Sequence, residues 1–345
     1  MTSKKPPVDP GDMLGHILAW PELFKSGYGT AVTLPPRLKR AERIMVCAMG
    51  GSGIGAALAG DYLADQLKVP YVIHRDYGVP EYVDERTLVI CVSHSGSTEE
   101  TRSAYAAARE RKAPVLAVTT GGPLADDAQR DKQALVTYVS AIPPRAATPY
   151  TFGLMLKVLV TLGFAADCSE AVKPAVEHVR ELAETARSTQ RHLGAELAER
   201  LHGRIPVIYS TGFLTEAGRR LKGQLAENAK QTAAWDVLPE QNHNGIVGLE
   251  YPDSLGQQAL FVLLRTDMEH PRHALRFEFL KEQLDRRNLP HVTIQGTGPN
   301  RLACQASVIF WGDLASCELA KLNGVDPSPN EVIDSLKARL AEDPL

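Results

Sequence analysis

Hydrophobic positions in the first 140 residues gather into short unbroken runs: "RIMVCAM" (43–49), "YVIHRD" (71–76), "TLVICVS" (87–93), "PVLAVTT" (114–120) and "ALVTYVS" (134–140). Runs this short, rich in β-branched residues and without polar alternation, predict strands buried on both faces. The stretches between them, such as "GAALAGDYLADQL" and "TEETRSAYAAARERK", are alanine-rich and carry helical spacing. Strand and helix in alternation predict a parallel sheet covered by helices on both sides, an α/β architecture.

The pattern returns in the second half. "RIPVIYSTG" followed by "TEAGRRLKGQLAEN" echoes "RIMVCAMGG" and its helix, "ALFVLLRTDMEHPRHALRFEFLKEQL" echoes "TLVICVSHSGSTEETRSAYAAARERK", and "LPHVTIQGTG" echoes "APVLAVTTGG". Two copies of one α/β unit are predicted, at 41–150 and 201–345, with a helical extension at 1–40 and linking helices at 151–200. A chain of 345 residues suits this division, since a domain takes roughly 100 to 200. The copies differ at one loop: after its second strand the C-terminal copy has "RTDMEHPR" where the N-terminal copy has "SHSGSTEETR". One hydroxyl-rich site per chain is therefore expected.

Charge and cysteine content narrow the partners. A net charge of -3 and a pI near 6.4 argue against nucleic acid or an anionic membrane as the main partner, so a bound anion must be met by local geometry. Cys47, Cys91, Cys168, Cys304 and Cys317 show no CxxC pair or metal-ligand spacing, which predicts reduced thiols in a cytoplasmic protein and no metal centre. The stretch "MTSKKPPVDPGDML" lacks the apolar core of a signal peptide, and "FGLMLKVLVTLGFAA" is interrupted by Lys157 and too short to span a bilayer.

The loop "SHSGST" is the first candidate for chemistry. At the carboxyl end of a parallel strand the chain enters a helix whose first N–H groups lack partners, and hydroxyls beside them complete an anion cradle. Ser93, Ser95, Ser97 and Thr98 supply the hydroxyls, and Gly96 permits a tight turn. The plainer alternative is that Ser97 or Thr98 only caps the helix. A second loop, "MGGSGIGAALAG", places Gly51, Gly53 and Ala56 in a G-x-G-x-x-A pattern with Asp76 ending the next strand, which leaves a dinucleotide site, and so an NAD(P)-dependent oxidoreductase, as a rival. The hydroxyl cluster lies on the other loop, however, and one monophosphate shared by Ser52, Ser93, Ser95 and Thr98 accounts for both.

"GGSGIG", "VSHSGSTEET", "TTGG" and "PPRAA", in this order, resemble a sugar isomerase (SIS) domain. With "AENAKQTAAWDVLPEQNHNGIVG" and "LNGVDPSPNEVIDSLK" they resemble the bifunctional phosphoglucose/phosphomannose isomerase family over roughly residues 40 to 340. The resemblance implies two SIS domains, each a three-layer αβα sandwich, and a metal-independent, cofactor-free interconversion of glucose 6-phosphate, and mannose 6-phosphate, with fructose 6-phosphate. Such a reaction moves a proton between C1 and C2 through a cis-enediol. It needs one base, a ring-opening group and positive charge near the enediolate.

The resemblance assigns these roles residue by residue. Glu227 matches the catalytic base, on a predicted helix whose Leu221, Leu225, Ala229 and Ala233 face the core. His243, in "EQNHNG", matches the ring-opening histidine, which the family draws from a partner subunit, so a homodimer with shared sites is implied. Arg145, in "PPRAA", matches the active-site arginine, and Lys337, in "VIDSLK", the catalytic lysine, with Lys321 in "ELAKLNG" as its rival. Gly51, Ser52, Ser93, Ser95 and Thr98 match the phosphate site. A sugar-phosphate-binding regulator of the same fold would need neither Glu227 nor His243.

Four positions depart from the family pattern. His94 and Ser97 stand where Tyr and Asn are usual, Gly245 replaces the acid after His243-Asn244, and "DPSPNEVI" has Ser328 but no threonine, the residue associated with mannose activity.

Overall fold

The computed structural model describes residues 9–342. The segment 1–8, which the absence of a signal-like apolar core concerns, lies outside the described residues. Two short helices, α1 (Met13–Leu18) and α2 (Trp20–Tyr28), precede the first α/β unit. That unit runs β1 (Arg43–Ala48), α3 (Gly50–Leu63), β2 (Tyr71–His74), β3 (Thr87–Ser93), α4 (Glu99–Glu110), β4 (Val115–Thr119), α5 (Gly122–Arg130) and β5 (Ala134–Thr137). Its strands pair in parallel in the order β2-β1-β3-β4-β5.

Burial along the strands explains their composition. Every residue of β3, at the centre, is buried, so both of its faces must be apolar, whereas the edge strands β2 and β5 are half-covered and tolerate polar residues. Both edge strands are shorter than their apolar runs predict, ending at His74 and Thr137 rather than 76 and 140. An edge strand has one hydrogen-bonding neighbour, and it ends where that neighbour ends.

Three helices follow: α6 (Thr148–Leu162), α7 (Ser169–Ser188) and α8 (Leu193–Leu201). The second unit comprises β6 (Ile205–Thr211), α9 (Thr215–Ala229), β7 (Ala234–Leu238), α10 (Leu255–Gln258), β8 (Ala259–Thr266), α11 (Pro271–Arg286), β9 (His291–Gly296), α12 (Arg301–Asn323) and α13 (Glu331–Glu342). Its sheet, also parallel, has the order β7-β6-β8-β9, which repeats β2-β1-β3-β4 of the first. The three segment echoes read in the sequence thus fall on equivalent strands. Strand β7 has no predicted counterpart, because "AWDVL" is a half-exposed edge strand interrupted by Asp236.

Helix α12 joins the two units. It is buried all round, with 18 of 23 residues buried, because it is enclosed on every side rather than laid on one sheet. Gln305 on α12 donates to the carbonyls of both Leu58 in α3 (3.2 Å) and Phe213 (2.8 Å). Asp313 accepts two hydrogen bonds from the buried Arg220 of α9, at 3.0 and 2.8 Å. The same guanidinium donates to the Arg145 carbonyl and to Thr148 Oγ1, both at 2.8 Å. Three of the regions that carry candidate site residues, around 51, 145 and 227, are therefore fixed to one scaffold. Among the described residues, no helix is long and apolar enough to cross a membrane.

Candidate active site

The hydroxyl loop leaves β3 at its carboxyl end and enters α4. Ser93 is buried and its Oγ lies 2.8 Å from Thr98 Oγ1 while accepting from Gly96 N (3.1 Å). Ser95 Oγ pairs with Ser97 Oγ at 2.9 Å and accepts from Ser97 N at 3.2 Å. Thr98 occupies the N-cap position of α4, yet its side chain makes no capping bond. The capping alternative is thereby corrected: the hydroxyls turn toward one another and leave the first turn of α4 uncapped by them. A cluster of paired hydroxyls beside free helix N–H groups is suited to receive an anion. Gly96 is required here, since its φ is +70° and a Cβ would collide with the Gly121 carbonyl oxygen.

Ser52 ties the glycine loop to this cradle, accepting a hydrogen bond from His94 N at 3.1 Å. The imidazole of His94 meets Tyr138 edge-on at 6.1 Å, and burial pushes its pKa down. Gly53 belongs to a tight strand-to-helix junction, where a Cβ would approach the Ala48 carbonyl oxygen to 2.8 Å. Asp76 spends one carboxylate oxygen on the next backbone N–H, that of Tyr77, at 2.8 Å.

Gly51 connects the cradle to the candidate catalytic groups. A Cβ on it would lie 2.7 Å from the Pro144 carbonyl oxygen and 3.2 Å from Arg145 Cα. Arg145 is buried and held on two of its three nitrogens: Nε donates to Asn228 Oδ1 (2.8 Å), and Nη2 to the carbonyls of Pro327 (2.6 Å) and Ser328 (2.7 Å). Nη1 faces Glu227 Oε2 at 3.9 Å, and that oxygen also accepts from Asn330 Nδ2 at 3.1 Å. Burial lowers the guanidinium's pKa, and Glu227 offsets part of that cost.

Helix α9 ends one turn earlier than its apolar spacing predicts, and this shapes the site. Ala229 closes the helix and Lys230 adopts a left-handed conformation with φ +54°, so Ala233 lies outside the helix, partly buried against the core. The reversal points Lys230 Nζ back at the Glu227 carbonyl (2.5 Å) and at Pro329 O (2.8 Å). Burial, followed by the charge of Arg145, lowers the Lys230 pKa. Neither Lys230 nor Asn228 nor Asn330 stood out in the sequence; the polar density of "AENAK" at a helix end was the available signal.

The remaining candidates are not brought to this cluster within one chain. His243 is exposed, at the end of a one-turn 3-10 helix (Glu240–His243) that follows β7. A Cβ on Gly245 would lie 3.2 Å from Asp236 Oδ2, so a carboxylate from β7 already stands beside the position where the family's usual acid is missing. Lys337 is 72% exposed on α13, 3.6 Å from Asp334, and α13 has no buried residue. Lys321 closes α12, paired with Glu318 at 2.7 Å. Among the described residues no three His, Cys, Asp or Glu side chains converge as metal ligands.

Known proteins resemble this chain in sequence and in fold. Residues 37–159 match the SIS domain model, and residues 190–340 match the bacterial phospho-glucose isomerase C-terminal SIS domain. A bifunctional phosphoglucose/phosphomannose isomerase from Caldicellulosiruptor bescii is 35% identical over 96% of this chain and 99% of its own length. The enzyme of that description from Aquifex aeolicus is 34% identical over 86% of this chain and 90% of its own. Among solved structures, a hypothetical protein from Thermus thermophilus superposes with a TM-score of 0.72 at 18% identity, covering 96% of this chain and 90% of that one.

Proposed function

Because the chain belongs to the bifunctional phosphoglucose/phosphomannose isomerase family, we propose that it interconverts glucose 6-phosphate with fructose 6-phosphate, and mannose 6-phosphate as a second substrate, by proton transfer through a cis-enediol. The observation that carries this reading is the contact chain from the hydroxyl cradle through Ser52 and Gly51 to Arg145 and Glu227. An anion site at one end and a carboxylate facing a buried guanidinium at the other are what a 6-phosphosugar needs.

In this mechanism the phosphate sits on the loop of Ser93, Ser95 and Thr98, and its binding energy holds C1 and C2 against Glu227. Glu227 removes the proton from one carbon and returns it to the other. Arg145, held by three acceptors, keeps its remaining edge toward Glu227 and the developing enediolate charge. His243 opens the ring, and Lys337 supplies a further cation.

His243 and Lys337 reach the cluster across a homodimer in this reading. Two features support it: His243 is exposed, and α13 presents Val332, Ile333, Leu336 and Leu340 to solvent as one apolar face. Five free, buried cysteines suit a reducing compartment, and the cytoplasm is the proposed location.

The test is proton NMR of the protein with fructose 6-phosphate in D2O, with EDTA and without nicotinamide cofactor. Glucose 6-phosphate deuterated at C2 is the expected product, and mannose 6-phosphate in the same spectrum reports the second substrate. Binding without product or exchange would overturn the reading in favour of a sugar-phosphate sensor.

A further inference from the structure

The second α/β unit has its own cavity at the place equivalent to the phosphate site of the first. It measures about 270 Å³ and lies where β6, β8 and β9 deliver their helices, between Gly212–Leu214, Met268–His270 and Arg301. Carboxyl ends of parallel strands at a switch in strand order are where α/β sheets take ligands. The proposed isomerase chemistry uses none of these residues.

The polar groups of the wall have a defined balance of donors and acceptors. Glu269 has a side chain only 7% exposed; its Oε1 accepts from Arg265, while its Oε2, also buried, has no hydrogen-bond partner among the described residues. Arg301 packs over the Phe213 ring at 4.6 Å and pairs with Asp65 through Nη1, leaving a buried Nε–H without partner among the described residues. Thr211 Oγ1 donates to the Leu238 carbonyl (2.9 Å), so the contact at 3.1 Å makes His273 Nδ1 the donor to it and its Nε2 an acceptor. His270 Nδ1 accepts from Arg272 N at 3.1 Å, which places the proton on Nε2. The lining residues thus combine donors, Arg301 and His270, with acceptors, Glu269 and His273.

A fully ionised phosphate ester only accepts, and an ammonium only donates; either would leave half of this wall unmatched. Hydroxyl groups do both, and Phe213 and Met268 offer apolar surface to C–H faces. We propose that this cavity is a second ligand site, for an uncharged polyhydroxylated molecule such as an unphosphorylated sugar ring, with Glu269 and Arg301 as its principal hydrogen-bonding partners. The duplicated fold then carries an anion cradle in one copy and a hydroxyl-matched pocket in the other.

The probe is methyl α-D-glucopyranoside, which has no phosphate and cannot isomerise, titrated calorimetrically into the full-length protein. Inorganic phosphate is titrated in parallel. Binding that weakens at least tenfold in Met268→Trp, which fills the cavity, and in Glu269→Gln, whose carbonyl must face Arg265 and so turns an amide toward the ligand, is the expected result. It should persist in the Ser93→Ala/Ser95→Ala protein, which separates it from the phosphate loop and from any failure of the isomerase reading. No glucoside binding across the millimolar range, or binding indifferent to both cavity variants, overturns the proposal. Phosphate binding that Met268→Trp abolishes overturns the ligand class. Circular dichroism confirms folding of each variant, and a glucoside-soaked crystal of the unmodified protein, with density in the cavity or empty, decides the matter if either fails to fold.

Discussion

Arg145 Nη1 stands 3.9 Å from Glu227 Oε2, while the other two nitrogens of the guanidinium are bound to Asn228, Pro327 and Ser328. The arginine is thus clamped, with one edge left for the carboxylate. A lysine could not satisfy three acceptors in this planar arrangement. Arg145→Lys is expected to lower kcat by about 100-fold or more, with a smaller change in KM, in steady-state assays with fructose 6-phosphate.

Glu227 touches the rest of the protein through Arg145 and Asn330 and is partly exposed. Glu227→Gln should therefore fold normally, with unchanged circular dichroism, and lose about 1,000-fold in kcat together with solvent proton exchange. Retention of exchange would remove it as the base.

In the hydroxyl loop, Ser93 and Ser95 each accept a backbone N–H and contact a second hydroxyl. Ser93→Ala with Ser95→Ala removes two phosphate partners, each worth roughly 10-fold or more for a charged acceptor. Apparent KM should rise by about 100-fold, whereas an unchanged KM would place the phosphate elsewhere.

Lys337 and Lys321 each have an acid three residues earlier as partner, but only Lys337 belongs to a helix without buried residues. If α13 closes over a site in the assembled protein, Lys337→Ala should reduce kcat by about 10-fold or more and Lys321→Ala by less than about 2-fold. The reverse order transfers the role to Lys321.

Asp61 accepts a 2.7 Å hydrogen bond from Glu216 N at the contact of α3 with α9, and burial raises its pKa to about 7. The hydrogen bond from Glu216 N opposes the rise, the Glu216 carboxylate adds to it, and Arg75 and Arg219 oppose it. The folded state then holds a proton that the unfolded chain releases near its ordinary value of about 4. Stability from this group is full below about pH 4 and is lost as pH rises toward 7, on the order of 1–3 kcal/mol. Urea unfolding of Asp61→Asn should show that loss abolished between pH 5 and 8, because the amide oxygen can still accept from Glu216.

The architecture was readable where burial dictates composition. Strands β1, β3 and β4 are enclosed and had to be apolar, and the same constraint acting twice produced the internal echo. Strand β7 escaped notice because an edge strand with a half-exposed Trp235 and Asp236 is under no such constraint. As candidates, the serines stand out by their place between a strand end and a helix start, and Glu227 and Arg145 by motif resemblance. Asn228, Lys230, Arg220 and Asp313 do not, because their roles arise from partners 72 to 99 positions away, or from a backbone reversal that no local pattern announces.

Helix α12 also determines how the molecule comes apart. A helix buried on every side, carrying the Asp313 partner of Arg220 and bound through Gln305 to α3, leaves no plane along which the duplicated halves can separate without exposing charge and apolar surface together. The two copies are accordingly expected to unfold together, in a single calorimetric transition, although each sheet also packs an apolar cluster of its own on one face.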